Sequence, residues 1–184
     1  MGIQWKYDNI HENQIEWYRE SVLAIDAANK AVDPDCPMFT SLCFFHIPLE
    51  EYGIAWQEYK ANGYKDTENV KHFAGGYYEK DEKSYCGIHS DNFFETALEL
   101  GSTKGIFCGH DHENNASIEY KGIRLTYGMS IDYLAYTGIY KKGAQRGCTV
   151  ITLSKDGELS VSLENYYQDK YVSKYEKEKV STDR

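Results

Sequence analysis

The chain has 184 residues, enough for one domain with a real core, whereas two domains would be cramped. Its 20 basic and 29 acidic side chains give a formal charge of −9, which disfavours nucleic acid and anionic membrane as partners. No apolar run reaches the roughly 18 residues of a spanning helix, and Met1-Gly2-Ile3-Gln4-Trp5-Lys6 lacks the apolar centre of a signal peptide.

Asn9, with Glu12 three residues on, predicts a capped helix start. Ile15, Tyr18, Val22 and Ile25 then recur at helical spacing to about Lys30. Asp33-Pro34-Asp35 and Pro37 predict a turn. Met38 to Phe45 is nearly all apolar and predicts a strand buried on both faces, with His46 at its C-terminal end. In open α/β sheets that edge is where sites are built. Leu49 to Ala61 predicts an amphipathic helix carrying Tyr52, Ala55, Trp56 and Tyr59.

From Asn62 to Ile88 no period is evident, and the expectation is one long loop. Ser90 starts a helix over Asp91 to Leu100, with Asp91 and Asn92 as capping residues and Gly101 as its stop. Lys104 to Cys108 follows as a buried strand. Ser117 to Tyr120 and Ile123 to Tyr127, joined by Lys121-Gly122, predict one hairpin. Cys148 to Leu153 and Glu158 to Leu163, joined around Asp156-Gly157, predict a second. Gly128 to Gly147 is irregular and Tyr/Gly-rich, and the charged tail after Asn165 frays or forms a loose helix. Residues 1–165 are expected as a single domain and 166–184 as its tail.

The five cysteines (Cys36, Cys43, Cys86, Cys108, Cys148) are odd in number and contain no Cys-x-x-Cys. A thiolate zinc site is therefore disfavoured, and Cys43 and Cys108 suit a core kept in a reducing compartment such as the cytoplasm. His11, His72 and His89 have no partner pattern and are expected at the surface.

The pointed feature is Gly105-Ile-Phe-Cys-Gly-His-Asp-His112. In extended chain His110 and His112 point the same way and Asp111 points opposite. If the strands ending at His46 and Gly109 are parallel neighbours, all three imidazoles meet at one edge. Three imidazoles can fill most of a tetrahedral zinc shell or supply the nitrogens of a two-metal site. Asp111 is expected to brace the loop, or to hydrogen-bond a ligand histidine from the second coordination sphere.

Phe44-Phe45-His46-Ile47-Pro48-Leu49-Glu50-Glu51-Tyr52 and Gly109-His110-Asp111-His112-Glu113-Asn114 resemble the calcineurin-like metallophosphoesterases, in the branch akin to small purple acid phosphatases. Asn13-Gln14-Ile15-Glu16-Trp17-Tyr18 fits the same resemblance, which runs roughly from Tyr7 to Leu153. It implies part of an αββα sandwich: a mixed α/β sheet with flanking helices and C-terminal hairpins. It implies metal-dependent hydrolysis of a phosphate ester at a dinuclear Fe, Mn or Zn centre, with His46 and His110 on one metal and His112 on the other.

The family's upstream Asp-x-His, Gly-Asp-x-x-Asp and Gly-Asn-His motifs are not found in this chain. The expectation is therefore the C-terminal half of such a domain. It would lack the catalytic histidine, hold at most one metal, hydrolyse little alone, and dimerise through an exposed sheet edge. The alternative is a metal-binding or interaction module without catalysis.

Overall fold

The computed structural model describes residues 7–131, 136, 139 and 146–165. Their order is α1 (Glu12–Val32), β1 (Ser41–Phe44), α2 (Glu50–Ala61), β2 (Val70–Ala74), a 3-10 turn (Lys80–Glu82), α3 (Phe93–Leu100), β3 (Thr103–Cys108), β4 (Ser117–Tyr120), β5 (Ile123–Tyr127), β6 (Gly147–Leu153) and β7 (Leu159–Asn165). The fold is mixed α/β, with a five-stranded sheet in the order β1-β3-β5-β4-β2 and a separate β6-β7 hairpin. The tail after Asn165 and most of the irregular stretch between Gly128 and Gly147 lie outside the described residues.

Strands β1, β3 and β5 run parallel, in register Cys43 to Ile106 and Ile106 to Leu125. Strands β4 and β2 turn back antiparallel, with Ile118 opposite Leu125 and His72 opposite Ile118. Because side chains alternate across a pleat, these registers put Cys43, Val70, Ile106, Cys108, Ile118, Leu125 and Tyr127 on one face. That face forms a single core with Ile15, Tyr18 and Val22 of α1, Tyr52, Ala55 and Trp56 of α2, and Phe93, Phe94 and Ala97 of α3. All three helices thus cover the same side of the sheet. Tyr18 reaches through the core to the Thr103 hydroxyl at 2.7 Å, and Arg19 joins Glu99 at 2.9 Å, fixing α1 on α3.

The opposite face carries Leu42, Phe44, Phe107, Arg124 and Thr126. The β6–β7 hairpin lies against it, so close that a Cβ on Gly105 would stand 2.8 Å from Leu159 Cδ2. Phe44 stacks on Phe107 with ring centroids 5.0 Å apart, yet is 62% exposed. The expectation that the first strand is buried on both faces is corrected by this position. β1 is the end of the sheet, and the apolar run only half closes over it.

Two further differences have local causes. The cap of α1 is His11 rather than Asn9, and its backbone N–H donates to Gln14 Oε1 at 2.8 Å. Asn9 instead accepts from the His89 N–H at 2.9 Å and so ties the chain start to the loop before α3. The long loop predicted over 62–88 contains β2, whose pattern Val70-Lys71-His72-Phe73-Ala74 pairs with β4 alone. The other predicted elements form within three residues of their expected bounds. No described helix is long and apolar enough to cross a membrane.

Glu51, in the first turn of α2, is 5% exposed and faces Glu95, Glu50 and Asp91. Burial, reinforced by these carboxylates, pushes its pKa up from 4.5 to about 7. The folded state therefore holds this proton more tightly than the unfolded chain does. The associated stability is complete below about 4.5 and is lost as pH rises towards 7 and beyond. Denaturant melts of Glu51→Gln should lose that pH dependence and gain up to roughly 3 kcal/mol over the parent at pH 8. An unchanged difference between pH 5 and pH 8 would show that another group controls it.

Candidate functional site

His46 follows β1 and His110 follows β3, so the parallel pairing of these two strands delivers both to one edge. The junction is closed by backbone bonds: Phe45 N–H donates to the Phe107 carbonyl at 3.1 Å, and Gly109 N–H to the His46 carbonyl at 3.0 Å. The His46 ring lies beside Gly109, where a Cβ would stand 3.5 Å from its Nδ1, an ordinary contact.

The loop then turns sharply. Asp111 N–H donates to the Gly109 carbonyl at 2.8 Å, and His110 takes a left-handed φ of 67°. Extended-chain alternation therefore does not govern His110 and His112, and the imidazoles that meet are those of His110 and His46. His110 Nδ1 stands 3.4 Å from His46 Nε2, with the rings nearly perpendicular. As a hydrogen bond this is long. As two ligands of one ion it fits, since nitrogens about 2.0–2.1 Å from a tetrahedral zinc lie about 3.3–3.4 Å apart. Burial lowers the pKa of His110, opposed by Asp111 and reinforced by His46 and His112.

His112 packs beside Tyr136, ring centroids 5.1 Å apart, and its Nδ1 is buried without a hydrogen-bond partner. Among the described residues no three His, Cys, Asp or Glu side chains group closely enough, as they stand, to hold a metal ion. His11 pairs with Asp8, His72 stacks on Tyr59, and His89 is exposed.

Asp111 is buried and turned inward. Its Oδ2 accepts from the Tyr127 hydroxyl at 2.7 Å, the Tyr85 N–H at 3.1 Å and the Asn114 amide at 3.3 Å. With the Tyr127 proton given to Asp111, the Ser84 hydroxyl donates to the Tyr127 oxygen at 2.7 Å. Burial raises the Asp111 pKa, opposed by these donors.

Asn114 has no exposed surface and uses its whole amide. Oδ1 accepts from the N–H groups of Tyr78 and Glu79 at 2.9 and 3.1 Å, and Nδ2 donates to the Lys83 carbonyl at 2.9 Å as well as to Asp111. Asn115 Oδ1 accepts from Gly76 N–H at 2.9 Å. At Gly75, a left-handed φ of 72° and a hypothetical Cβ 2.2 Å from the Asn115 carbonyl leave room only for glycine.

The histidine loop and residues 75–86 are thus one hydrogen-bonded unit. Asn114 and Asn115 were missed as site-building residues. The available signal was two amides directly after the histidines, in a segment that had to bury its backbone.

Parallel strands ending in facing imidazoles, on a sheet with helices packed on it, make this edge the candidate site. Three curated relatives match most of the chain. The chain is 30% identical to a protein named probable inactive purple acid phosphatase 29 of Arabidopsis thaliana, over 148 residues covering 80% of this chain and 33% of that one. It is 28% identical to probable inactive purple acid phosphatase 14 of the same plant, over 73% of this chain and 30% of that one. It is also 28% identical to probable inactive purple acid phosphatase 28, over 71% and 28%. No family model matches the chain, and no solved structure does. The chain is therefore similar, over 71–80% of its own length, to parts of proteins that are named purple acid phosphatases. It spans about a third of the length of these relatives.

Asn114→Leu keeps the volume but strips partners from two backbone N–H groups, one carbonyl and the Asp111 carboxylate. Urea unfolding should show a loss of roughly 2–4 kcal/mol. Amide exchange at Tyr78 and Glu79 should accelerate in step.

Proposed function

We propose that this chain carries the histidine part of a phosphoesterase site, in which His46 and His110 hold one divalent ion and His112 is a further ligand. The observation that carries this reading is the 3.4 Å separation of His110 Nδ1 and His46 Nε2. The buried, unpartnered Nδ1 of His112 supports it. A bound ion would supply a Lewis acid for phosphoryl oxygens and a water of lowered pKa. The chain's own part is to position nitrogens: the Gly109 N–H bond to the His46 carbonyl joins the two strand ends, and Asp111, committed to Tyr127, holds the loop.

The three upstream motifs that would bring a bridging aspartate, an asparagine ligand and a catalytic histidine are not found in this sequence. Fe, Mn and Zn all suit imidazole, and one ion is the most that two or three neutral ligands hold well.

Equilibrium dialysis with Zn(II) at pH 7.5 should find one bound ion. His46→Ala or His110→Ala should weaken it at least tenfold, and affinity should fall on acidification, because an imidazole binds metal only when deprotonated. The same chain, loaded with Mn(II), should hydrolyse an aryl phosphate little or not at all. Absence of bound zinc in the parent, or zinc retained by both variants, would reject the site.

The outer edge of β1 supports a second proposal, that two copies associate. Ser41 and Phe45 donate inward to Ser102 and Phe107, which leaves the N–H groups of Leu42 and Phe44 facing out. This edge, Thr40 to Phe45, has no charge, proline or lysine of the kind that keeps edges apart. Sedimentation at tens of micromolar should give a dimer that Phe44→Lys converts to a monomer. A parent that stays monomeric would rule out the pairing.

A further inference from the structure

The His110 ring lacks the anchor that a metal-binding histidine ordinarily has. Such a ligand usually donates its second N–H to a carboxylate or a carbonyl, which fixes the direction of its lone pair. Among the described residues, the His110 ring makes only the long contact with His46 through Nδ1, and no protein group bonds its Nε2. Asp111, the next carboxylate in the chain, is turned to Tyr127. The backbone does not fix the ring either. A left-handed φ of 67° sets where the side chain leaves the loop, while rotation about the bond to the ring stays broad.

What meets the ring is Tyr7. The two rings stand edge to face, centroids 4.1 Å apart at 81°, closer than the roughly 4.5–7 Å usual for aromatic pairs. The other ring against His110 is that of His46, at 5.2 Å and 84°. Burial does not account for Tyr7, which is 43% exposed. Its hydroxyl makes no hydrogen bond among the described residues.

A clamp two residues on carries Tyr7 to this place. Asn9 Oδ1 accepts from the His89 N–H at 2.9 Å, and the Asn9 amide donates back to the His89 carbonyl and to Asp91 Oδ2. A Cβ at Gly87 would collide with the Asn9 side chain, so glycine there is what lets the clamp close. Asp8, between ring and clamp, accepts from the Asn9 N–H at 2.9 Å and pairs with His11 at the cap of α1. The segment before α1 is therefore tied down at both ends of its turn, with one ring laid on the histidine edge.

We propose that Tyr7 is the positioning residue of His110, its ring holding the imidazole so that Nδ1 faces His46 Nε2. This rests on the metal reading above and names what sets the geometry of the ligand pair. Tyr7 supplies no ligand. It restricts the rotation that would otherwise turn Nδ1 away from His46, so that an ion need not offset the loss of that freedom on binding. The contact uses the ring and not the hydroxyl, so phenylalanine should serve where leucine does not.

The test compares Tyr7→Phe, Tyr7→Leu and Asn9→Ala with the parent, each as the full chain. In equilibrium dialysis with Zn(II) at pH 7.5, Tyr7→Phe should bind like the parent and Tyr7→Leu more weakly by roughly three- to tenfold. Asn9→Ala, which keeps the ring but frees its anchor, should fall between them. In metal-free buffer the His110 ring protons should carry a ring-current shift in the parent and in Tyr7→Phe, and lose it in Tyr7→Leu. Amide exchange along β3 should be the same in all four chains. Zinc held by Tyr7→Leu as tightly as by the parent, or lost equally by Tyr7→Phe, would overturn the role. Weaker binding accompanied by faster exchange along β3 would overturn it too, since the effect would then be one of folding. A parent that binds no zinc, with the ring-current shift present, would reject the metal reading and the positioning role with it. A parent that binds zinc, with all three variants matching it, would reject the positioning role alone.

Discussion

The parallel pairing of β1 with β3 is the constraint from which the site follows. Parallel neighbours end at the same edge, so the residue after each strand is placed beside its counterpart without any help from sequence proximity. Here those residues are separated by 64 positions in the chain, yet His46 and His110 come within 3.4 Å. Two bonds finish the strand ends, Phe45 to Phe107 and Gly109 to His46, and the His46 ring lies beside the Gly109 backbone. Any change that slid β1 by one residue would invert its pleat. It would turn Cys43 away from the helices and move His46 out of line with His110.

Pairing alone would leave the histidine loop free at its far side, and the buried polar network removes that freedom. Asp111 and Asn114 sit in a region of low dielectric, where an unmatched carboxylate or amide is costly. Each is matched, and the partners are backbone groups of residues 78–85 together with the Tyr127 hydroxyl. Such a network is informative because it is complete. Tyr127 reports to Asp111, Ser84 to Tyr127, and Tyr52 and Tyr77 pack against the Tyr127 ring from the core side. The order of the loop is thereby coupled to the order of the core, and the histidines inherit a fixed base.

Much of this was legible in the sequence, for reasons that differ by element. The spacing of Ile15, Tyr18 and Val22 announces α1, and Lys121-Gly122 between two β-rich runs announces the β4–β5 hairpin, because both are local patterns. β2 was hidden. It is an edge strand whose alternation is broken by Phe73 on the open face and by a register shift before Ala74, so its pattern does not separate from loop. The burial of β1 was overstated for a related reason: an apolar run does not say whether a strand lies inside the sheet or at its border. The meeting of His46 with His110 followed from expecting parallel neighbours. The turn at His110 did not, since nothing in Gly-His-Asp-His marks histidine for a left-handed φ. The roles of Asn114 and Tyr7 depend on contacts across 30 or more residues, which no local pattern encodes.

The balance of charge at this edge also bears on what the chain does with its histidines. The chain carries nine more acidic than basic side chains. An anionic phosphate would meet repulsion from so acidic a chain unless a cation preceded it, so under the proposed function a metal on the imidazoles would be a condition of phosphate recognition. The converse holds for the metal. Neutral imidazoles supply geometry but no countercharge, and Asp111, the nearest carboxylate in sequence, is spent on Tyr127. Under the proposed function, ion and phosphate would therefore stabilise each other, and Asp111 would contribute by holding the histidine loop rather than by binding the ion.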